Sequence, residues 1–334
     1  MKKVAIYGIG NFGYAVLKHL DKKNSSDFDL YACDRDRELI NFLDKNREHP
    51  YFHPGKKISE KVIFVSGVRE LLTNCDILIV AVTSSCISQV FKDIKKYLEP
   101  QTIILNTSKA LDWNSGKRLS TIIQKELSGR VYKYAVLAGG TIAQDLFDHE
   151  PLGANIACEN RLVLKKLVAL FSSANLFIYP TSDVVGTEYA SAFKNVISIL
   201  AGITKGLGFS YGAETHIISR AATEVEDLVV KKLGGKKSTF ALGSQCWGND
   251  LWMSCTGNTR NREFGILVGQ GKSTKTALAR MKSENKTVEG INTIRILNKI
   301  RGIKDYYILY LVYRLFAGEI KLEAFKDLIF RNHR

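Results

Sequence analysis

The chain has no long apolar run: nowhere in its 334 residues do about eighteen apolar side chains follow one another, the length a bilayer core demands of a spanning helix. No membrane span is expected. Its six cysteines, Cys33, Cys75, Cys86, Cys158, Cys246 and Cys255, are scattered without Cys-x-x-Cys spacing. That favours free thiols over disulfides, zinc or any other metal. Repeats and low-complexity tracts are missing too. The opening Met-Lys-Lys leads straight into a short apolar stretch, Val4 to Tyr7, with no secretory apolar region. These absences point to the cytoplasm. Disorder is excluded by 45% hydrophobic and 24% charged residues, which is ordinary globular usage. The length suggests about two domains, with enough chain to bury a core without staples.

Acid is also in short supply. Thirty-three Asp and Glu face forty-eight Lys and Arg, a net charge of +15. Residues 1–185 carry +5 of this and residues 186–334 carry +10. Nucleic acid, an acidic membrane surface or an anionic small molecule could each match such a field. No cluster of five or six basic residues with interleaved aromatics is present, which weighs against nucleic acid.

What is there has a clear rhythm. Short β-branched apolar runs at 4–7, 29–33, 77–82, 102–106 and 134–137 read as buried strands, with amphipathic helical stretches such as 12–21 and 85–98 between them. This alternation predicts an α/β fold, a doubly wound parallel sheet of Rossmann type. Runs at 155–158 and 176–179 extend the sheet around a helix at 159–172. Beyond about residue 186 the strand signal stops, and helical periodicity appears at 188–207, 213–233, 261–269, 288–300 and 306–316. The expected division is a dinucleotide-binding domain, 1–185, and an all-α domain, 186–334.

Gly8-Ile9-Gly10-Asn11-Phe12-Gly13 follows the first strand and opens the first helix. Gly-x-Gly-x-x-Gly in that context binds a dinucleotide: Gly8 makes the tight turn, Gly10 lets the pyrophosphate approach, and Gly13 lets the helix pack closely. The helix N-terminus offers free N–H groups and partial positive charge to the phosphates. Asp34 ends the second strand where an acid binds the ribose 2′-hydroxyl, favouring NAD; Arg35 and Arg37 beside it leave NADP open.

Six segments in order carry a resemblance. The glycine loop reads GIGNFG where one dehydrogenase family has G-x-G-N-W-G. Residues 46–57, NREHPYFHPGKK, resemble its N-x-x-Y-L-P-G segment, and Asn106-Thr107-Ser108-Lys109 its S-K-G element. Residues 188–208, EYASAFKNVISILAGITKGLG, are close to E-x-x-G-A-L-K-N-V-x-A-I-x-A-G-I-x-x-G-L-G. Residues 250–265, DLWMSCTGNTRNREFG, resemble D-L-x-x-T-C … S-R-N-R-x-F-G, and Val288-Glu289-Gly290 matches V-E-G. The sequence therefore resembles the NAD(P)-dependent glycerol-3-phosphate dehydrogenases over nearly its whole length.

The likeness implies hydride transfer between NAD(P)H and C2 of dihydroxyacetone phosphate, giving sn-glycerol 3-phosphate. Lys194 sits in an apolar, small-residue helix, where a lysine either snorkels to solvent or is buried for proton transfer; the resemblance makes it catalytic. Asp250 and Lys109 are implied as its catalytic companions. Asn195, Ser254 and Thr141 are implied at the substrate, and the turn Arg260-Asn261-Arg262 supplies an arginine fork, with Arg260 and Asn261 on the phosphate. Asn11, Phe12, Ala143, Arg260 and Glu289 join the glycines and Asp34 at the cofactor. A homodimer is implied as well.

Departures fall on substrate-lining positions: Ala138-Gly139-Gly140-Thr141-Ile142-Ala143 mixes two family patterns, and Asn249 replaces a glycine before Asp250. Two alternatives therefore stay open: a dehydrogenase of another phosphorylated polyol or hydroxy acid, and a non-catalytic NAD-sensing or nucleic-acid-binding protein. The +10 half reads best as a steering field for an anionic substrate.

Overall fold

The computed structural model describes residues 3–23, 27–284 and 286–331. They form two compact units, 1–109 with 119–184, and 110–118 with 185–334. The short stretch 110–118, expected in the first domain, thus belongs with the second. Its Leu111 and Arg118 form a β-bridge, Arg118 Nη1 donates to Glu188 Oε2 at 3.0 Å, and Lys299 Nζ donates to the carbonyl of Asn114.

The first unit is built on β1 (Lys3–Tyr7), β2 (Asp29–Cys33), β3 (Val62–Phe64), β4 (Ile77–Val80), β5 (Ile103–Asn106), β6 (Lys133–Gly139), β7 (Leu152–Ala157) and β8 (Leu176–Thr181). They lie side by side in the order β3-β2-β1-β4-β5-β6-β7-β8. Alternation sends Val4 and Ile6 into one apolar layer and Ala5 and Tyr7 into the other, so both faces need covering. The layers are completed by α1 (Asn11–Lys23), α2 (Arg37–Asn46), α3 (Val68–Leu72), α4 (Ile87–Ile94), α5 (Leu119–Glu126), α6 (Ala143–Asp148) and α7 (Arg161–Phe171). Caps fix where two of them start: Asp36 accepts from Leu39 N–H, and Asn160 accepts from Leu162 and Val163 N–H.

One strand departs from the expected parallel sheet. β7 runs antiparallel to β6, while the other neighbouring strands are parallel. The connecting helix α6 has six residues and rises about 9 Å. It cannot carry the chain back along a seven-residue strand of about 23 Å, so the chain returns as β7 itself. β8, at the sheet's edge, tolerates Pro180 there. Strand order reverses between β1 and β4, and at such a switch point doubly wound sheets bind ligands.

The second unit contains α8 (Val184–Gly206), α9 (Tyr211–Leu228), α10 (Asp250–Thr256), α11 (Arg260–Gly269), α12 (Thr274–Ser283), α13 (Glu289–Arg295), α14 (Tyr307–Phe316) and α15 (Leu322–Leu328). The run expected at 288–300 breaks into α13 and a 3₁₀ turn, Leu297–Lys299, and α10 was not foreseen. From Tyr189 to Thr204 every residue of α8 is buried, as befits a helix apolar on all sides. Its Gly202 and Gly206 meet Gly265 and Gly269 of α11. A methyl on Gly202 would lie 2.1 Å from Arg262 O, and one on Gly265 2.1 Å from Ile199 O. Only paired glycines allow two helices this close, and that closeness delivers the start of α11 to the middle of α8.

Candidate active site

In the first unit the glycine loop sits at the switch point. Gly8 adopts φ +98° and donates to Cys33 O at 2.9 Å. A side chain there would strike Ala81 O at 2.7 Å, and one on Gly13 would strike Gly8 O at 1.9 Å. Gly10 is different: an added methyl would meet nothing within 4 Å, so its backbone is open to a phosphate. This cradle, with the N-terminus of α1 behind it, fits a dinucleotide. Asp34 holds the loop in place, accepting Ile9 N–H at 2.7 Å on one oxygen and Asp36 N–H at 3.0 Å on the other. A carboxylate has about four acceptor sites, so capacity for ribose hydroxyls remains. Phe12 and Ala143 are half-buried against the core below the loop. Asn11 is exposed, and its Oδ1 lies 2.8 Å from Nε2 of His53, a neighbour that no local pattern announces.

Two further expected residues meet at the C-terminal end of β6. Lys109 Nζ donates to Gly139 O at 2.7 Å. Thr141 is 7% exposed, and its hydroxyl has no hydrogen-bond partner among the described residues. A buried hydroxyl left unpaired costs about 1–3 kcal/mol.

The second unit brings three of the expected residues together. Lys194 projects from α8, and Asp250 and Ser254 project from α10, where their i, i+4 spacing puts them on one face. Lys194 Nζ donates to Asp250 Oδ1 at 2.8 Å and to Ser254 Oγ at 2.9 Å. The lysine is 7% exposed, the aspartate 0% and the serine 2%. Lys194 therefore does not snorkel; it is buried and its charge is matched. An ammonium has three N–H donors, and these contacts use two. Asn249, the departure beside Asp250, points its amide to Gln245 Oε1 at 2.9 Å and leaves the cluster intact. Cys255 lies next to Ser254, but burial pushes its thiol up to about 12, which excludes it as a thiolate.

Asn195 and Asn261 are coupled: Asn261 Nδ2 donates to Asn195 Oδ1 at 3.0 Å, while Asn261 Oδ1 accepts Gly290 N–H at 3.0 Å. One carboxamide thus ties α8, α11 and the start of α13, next to the half-buried Glu289. Arg260, the first residue of α11, is exposed. The two arginines of this turn part company. Arg262 turns inward to a buried ion pair with Glu214 at 2.7 Å, leaving Arg260 alone at the surface. Sequence reasoning also missed Ser198 and Thr259, which both donate to Ser254 O, at 2.6 and 2.8 Å, and pin the end of α10. Ser198 was within reach of periodicity, since it lies one turn beyond Lys194.

Similarity to known proteins bears on this geometry. Residues 3–163 match the family profile described as NAD-dependent glycerol-3-phosphate dehydrogenase N-terminus, and residues 183–327 match the corresponding C-terminus. The chain is 30% identical to a glycerol-3-phosphate dehydrogenase [NAD(P)+] of Citrifermentans bemidjiense, covering 99% of this chain and 98% of that one. It is 31% identical to the enzyme of that name from Halothermothrix orenii, covering 98% and 95%. Among solved structures, glycerol-3-phosphate dehydrogenase from Coxiella burnetii superposes with a TM-score of 0.86 at 23% identity, covering 99% of both chains. That from Plasmodium falciparum does so at 0.89 and 17%, covering 100% of this chain and 96% of the other. At these identities the structures speak for the fold alone.

Proposed function

Because the chain belongs to the NAD-dependent glycerol-3-phosphate dehydrogenase family, an NAD(P)-dependent oxidoreductase family, we propose that Lys194 carries the proton in its reversible conversion of dihydroxyacetone phosphate to sn-glycerol 3-phosphate. Bound NAD(P)H supplies hydride to C2; the chain must supply a proton to the oxygen. The observation that carries this reading is the buried contact of Lys194 Nζ with Asp250 and Ser254. Asp250 aims the lysine Nζ, Ser254 fixes its second N–H, and the third is left for the substrate oxygen. In the reverse direction the amine form takes the hydroxyl proton. A positioned acid of this kind is worth about 10²–10⁴-fold in rate.

Arg260 takes the substrate phosphate, helped by the N–H groups at the start of α11, and Asn261 holds Asn195 toward the same ligand. Remote phosphate binding of this sort orients the reacting carbon. The unpaired hydroxyl of Thr141 suits a substrate oxygen, and Lys109 is assigned to polarise the carbonyl. Glu289, Ala143 and Asn11 serve the cofactor. Asp34 favours NAD, because a 2′-phosphate would face its carboxylate. A cytoplasmic setting is part of this reading, since scattered cysteines without Cys-x-x-Cys spacing suit a reducing compartment. A homodimer belongs to the same reading. It is supported by an apolar groove of the second unit that exposes Tyr211, Leu242 and Trp252; Leu242→Lys is expected to halve the mass seen by light scattering.

The test is oxidation of NADH, and separately NADPH, with dihydroxyacetone phosphate. We expect turnover with both and higher kcat/KM with NADH. Lys194→Met is expected to lose about 10²–10⁴-fold in kcat; near-normal turnover would remove Lys194 from the mechanism.

A further inference from the structure

His53 lies outside every role assigned above. In the stretch resembling N-x-x-Y-L-P-G, Pro54-Gly55 places it where that pattern has leucine. It is 7% exposed, and its ring stacks on Phe147 with centroids 4.1 Å apart and planes within 9°. Stacking fixes where its two nitrogens point. Nδ1 lies 3.1 Å from Gln144 Oε1, and Nε2 lies 2.8 Å from Asn11 Oδ1.

The Gln144 amide cannot be turned over. Its Nε2 donates to Asp148 Oδ2 at 2.5 Å, and reversal would set its oxygen against that carboxylate. Gln144 therefore offers His53 an acceptor, and Nδ1 of His53 carries a proton in both charge states. Only Nε2 titrates. The Asn11 amide, by contrast, is exposed, with its other end directed away from the ring. When Nε2 bears a proton, Asn11 turns its oxygen to the ring and its NH₂ outward. When Nε2 is bare, the NH₂ turns to the ring and the oxygen faces out.

We infer that His53 is a positioning residue that sets which end of the Asn11 amide the dinucleotide meets, so that cofactor binding takes up a proton at His53. The inference rests on the reading of Asn11 as a cofactor residue. A pyrophosphate needs donors, and only the protonated state of His53 presents the Asn11 NH₂; the neutral state presents an acceptor to an anion. The groups facing His53 are Asp148 from α6, Lys56 and His49 from its own loop, and the Tyr14 phenol from α1. Burial, the largest influence, lowers the pKa of His53, Lys56 lowers it further, and Gln144 and Asp148 oppose that. These influences favour the neutral ring away from the cofactor, and the contact of Asn11 Oδ1 with Nε2 at 2.8 Å is the protonated arrangement that binding selects. The Tyr14 phenol is pushed up to about 12 by burial and does not titrate in this range.

The experiment is calorimetric titration of the full chain with NADH between pH 6 and 8, in two buffers of different ionisation enthalpy. The wild type is expected to bind about tenfold tighter at pH 6 than at pH 8, since each unit by which binding raises a pKa is worth tenfold, with net proton uptake. His53→Gln keeps a permanent N–H donor for Asn11 and does not titrate; it should bind well with a flat pH profile and less uptake. His53→Leu should bind weakly at pH 6 with an equally flat profile. Should either variant fold poorly, the other carries the comparison. Uptake and pH slope in a histidine-free variant equal to those of the wild type overturn the inference. Asn11→Ala separates the two readings: unchanged NADH affinity in that variant removes Asn11 from the cofactor site and the inference with it. Weakened affinity there, with wild type and His53→Gln titrating alike, overturns the role of His53 alone.

Discussion

Replacing Gly265 with alanine drives a methyl group into the backbone of α8. The added carbon would stand 2.1 Å from Ile199 O and 3.0 Å from Gly202 Cα. Neither neighbour is a flexible side-chain tip, so the two helices must part by about 1 Å. Overpacking of this kind costs about 1–3 kcal/mol. An alanine in a helix interior otherwise gains about 0.5–1 kcal/mol over glycine. The two effects have opposite signs, which makes the outcome decisive. If the seam is as tight as the geometry says, thermal unfolding of Gly265→Ala falls by several degrees, at about 2–4 °C per kcal/mol for a unit of this size. The Asn195–Asn261 contact, 3.0 Å long and about one turn away, loosens with it, so KM for dihydroxyacetone phosphate rises. Gly212 in α9 is the control: an added methyl there meets nothing within 4 Å, and Gly212→Ala should leave KM near its starting value and should not lower the melting temperature. A Gly265→Ala protein that melts higher than wild type, with KM unchanged, refutes the argument that glycine pairing sets the site.

Asp250→Asn removes the charge that matches the buried Lys194. Leaving a buried ammonium uncompensated costs about 3–5 kcal/mol, so both melting temperature and turnover should drop together; a fully stable variant would show that the pair is not dry. His19 is 4% exposed with Nε2 2.8 Å from Phe171 O, and burial lowers its pKa to about 4. The unfolded chain titrates near 6.5, so between about pH 6.5 and 4 the unfolded state binds the extra proton. Stability is complete above that window and falls by roughly 3 kcal/mol across it as pH drops. His19→Gln keeps a donor for Phe171 and should flatten that slope in denaturant titrations at stepped pH.

Features legible in the chain were those whose physics is local. Gly8-Ile9-Gly10-Asn11-Phe12-Gly13 declares its turn because glycine alone accepts φ +98° at Gly8 and the packing at Gly13. The long helix around Lys194 declares itself through unbroken apolar and small residues. β3 did not, because three residues make no readable period. The direction of β7 did not either, because it depends on whether α6 can span β6. Nothing near Arg262 announced its buried ion-pair partner. That partner, Glu214, lies 48 positions away, and no local pattern links the two.

Residue order alone therefore determined the reaction family, the glycine cradle, the acid at the end of β2 and the presence of a lysine in an apolar helix. Tertiary structure decided what each polar group does. It buried Lys194 against Asp250 and Ser254, made Asn261 a bridge, withdrew Arg262 into an ion pair and set His53 on Asn11. The reason is that backbone preference acts over a few neighbouring residues, whereas the state of a charge or an amide is set by whatever burial brings beside it. Those neighbours come from distant parts of the chain.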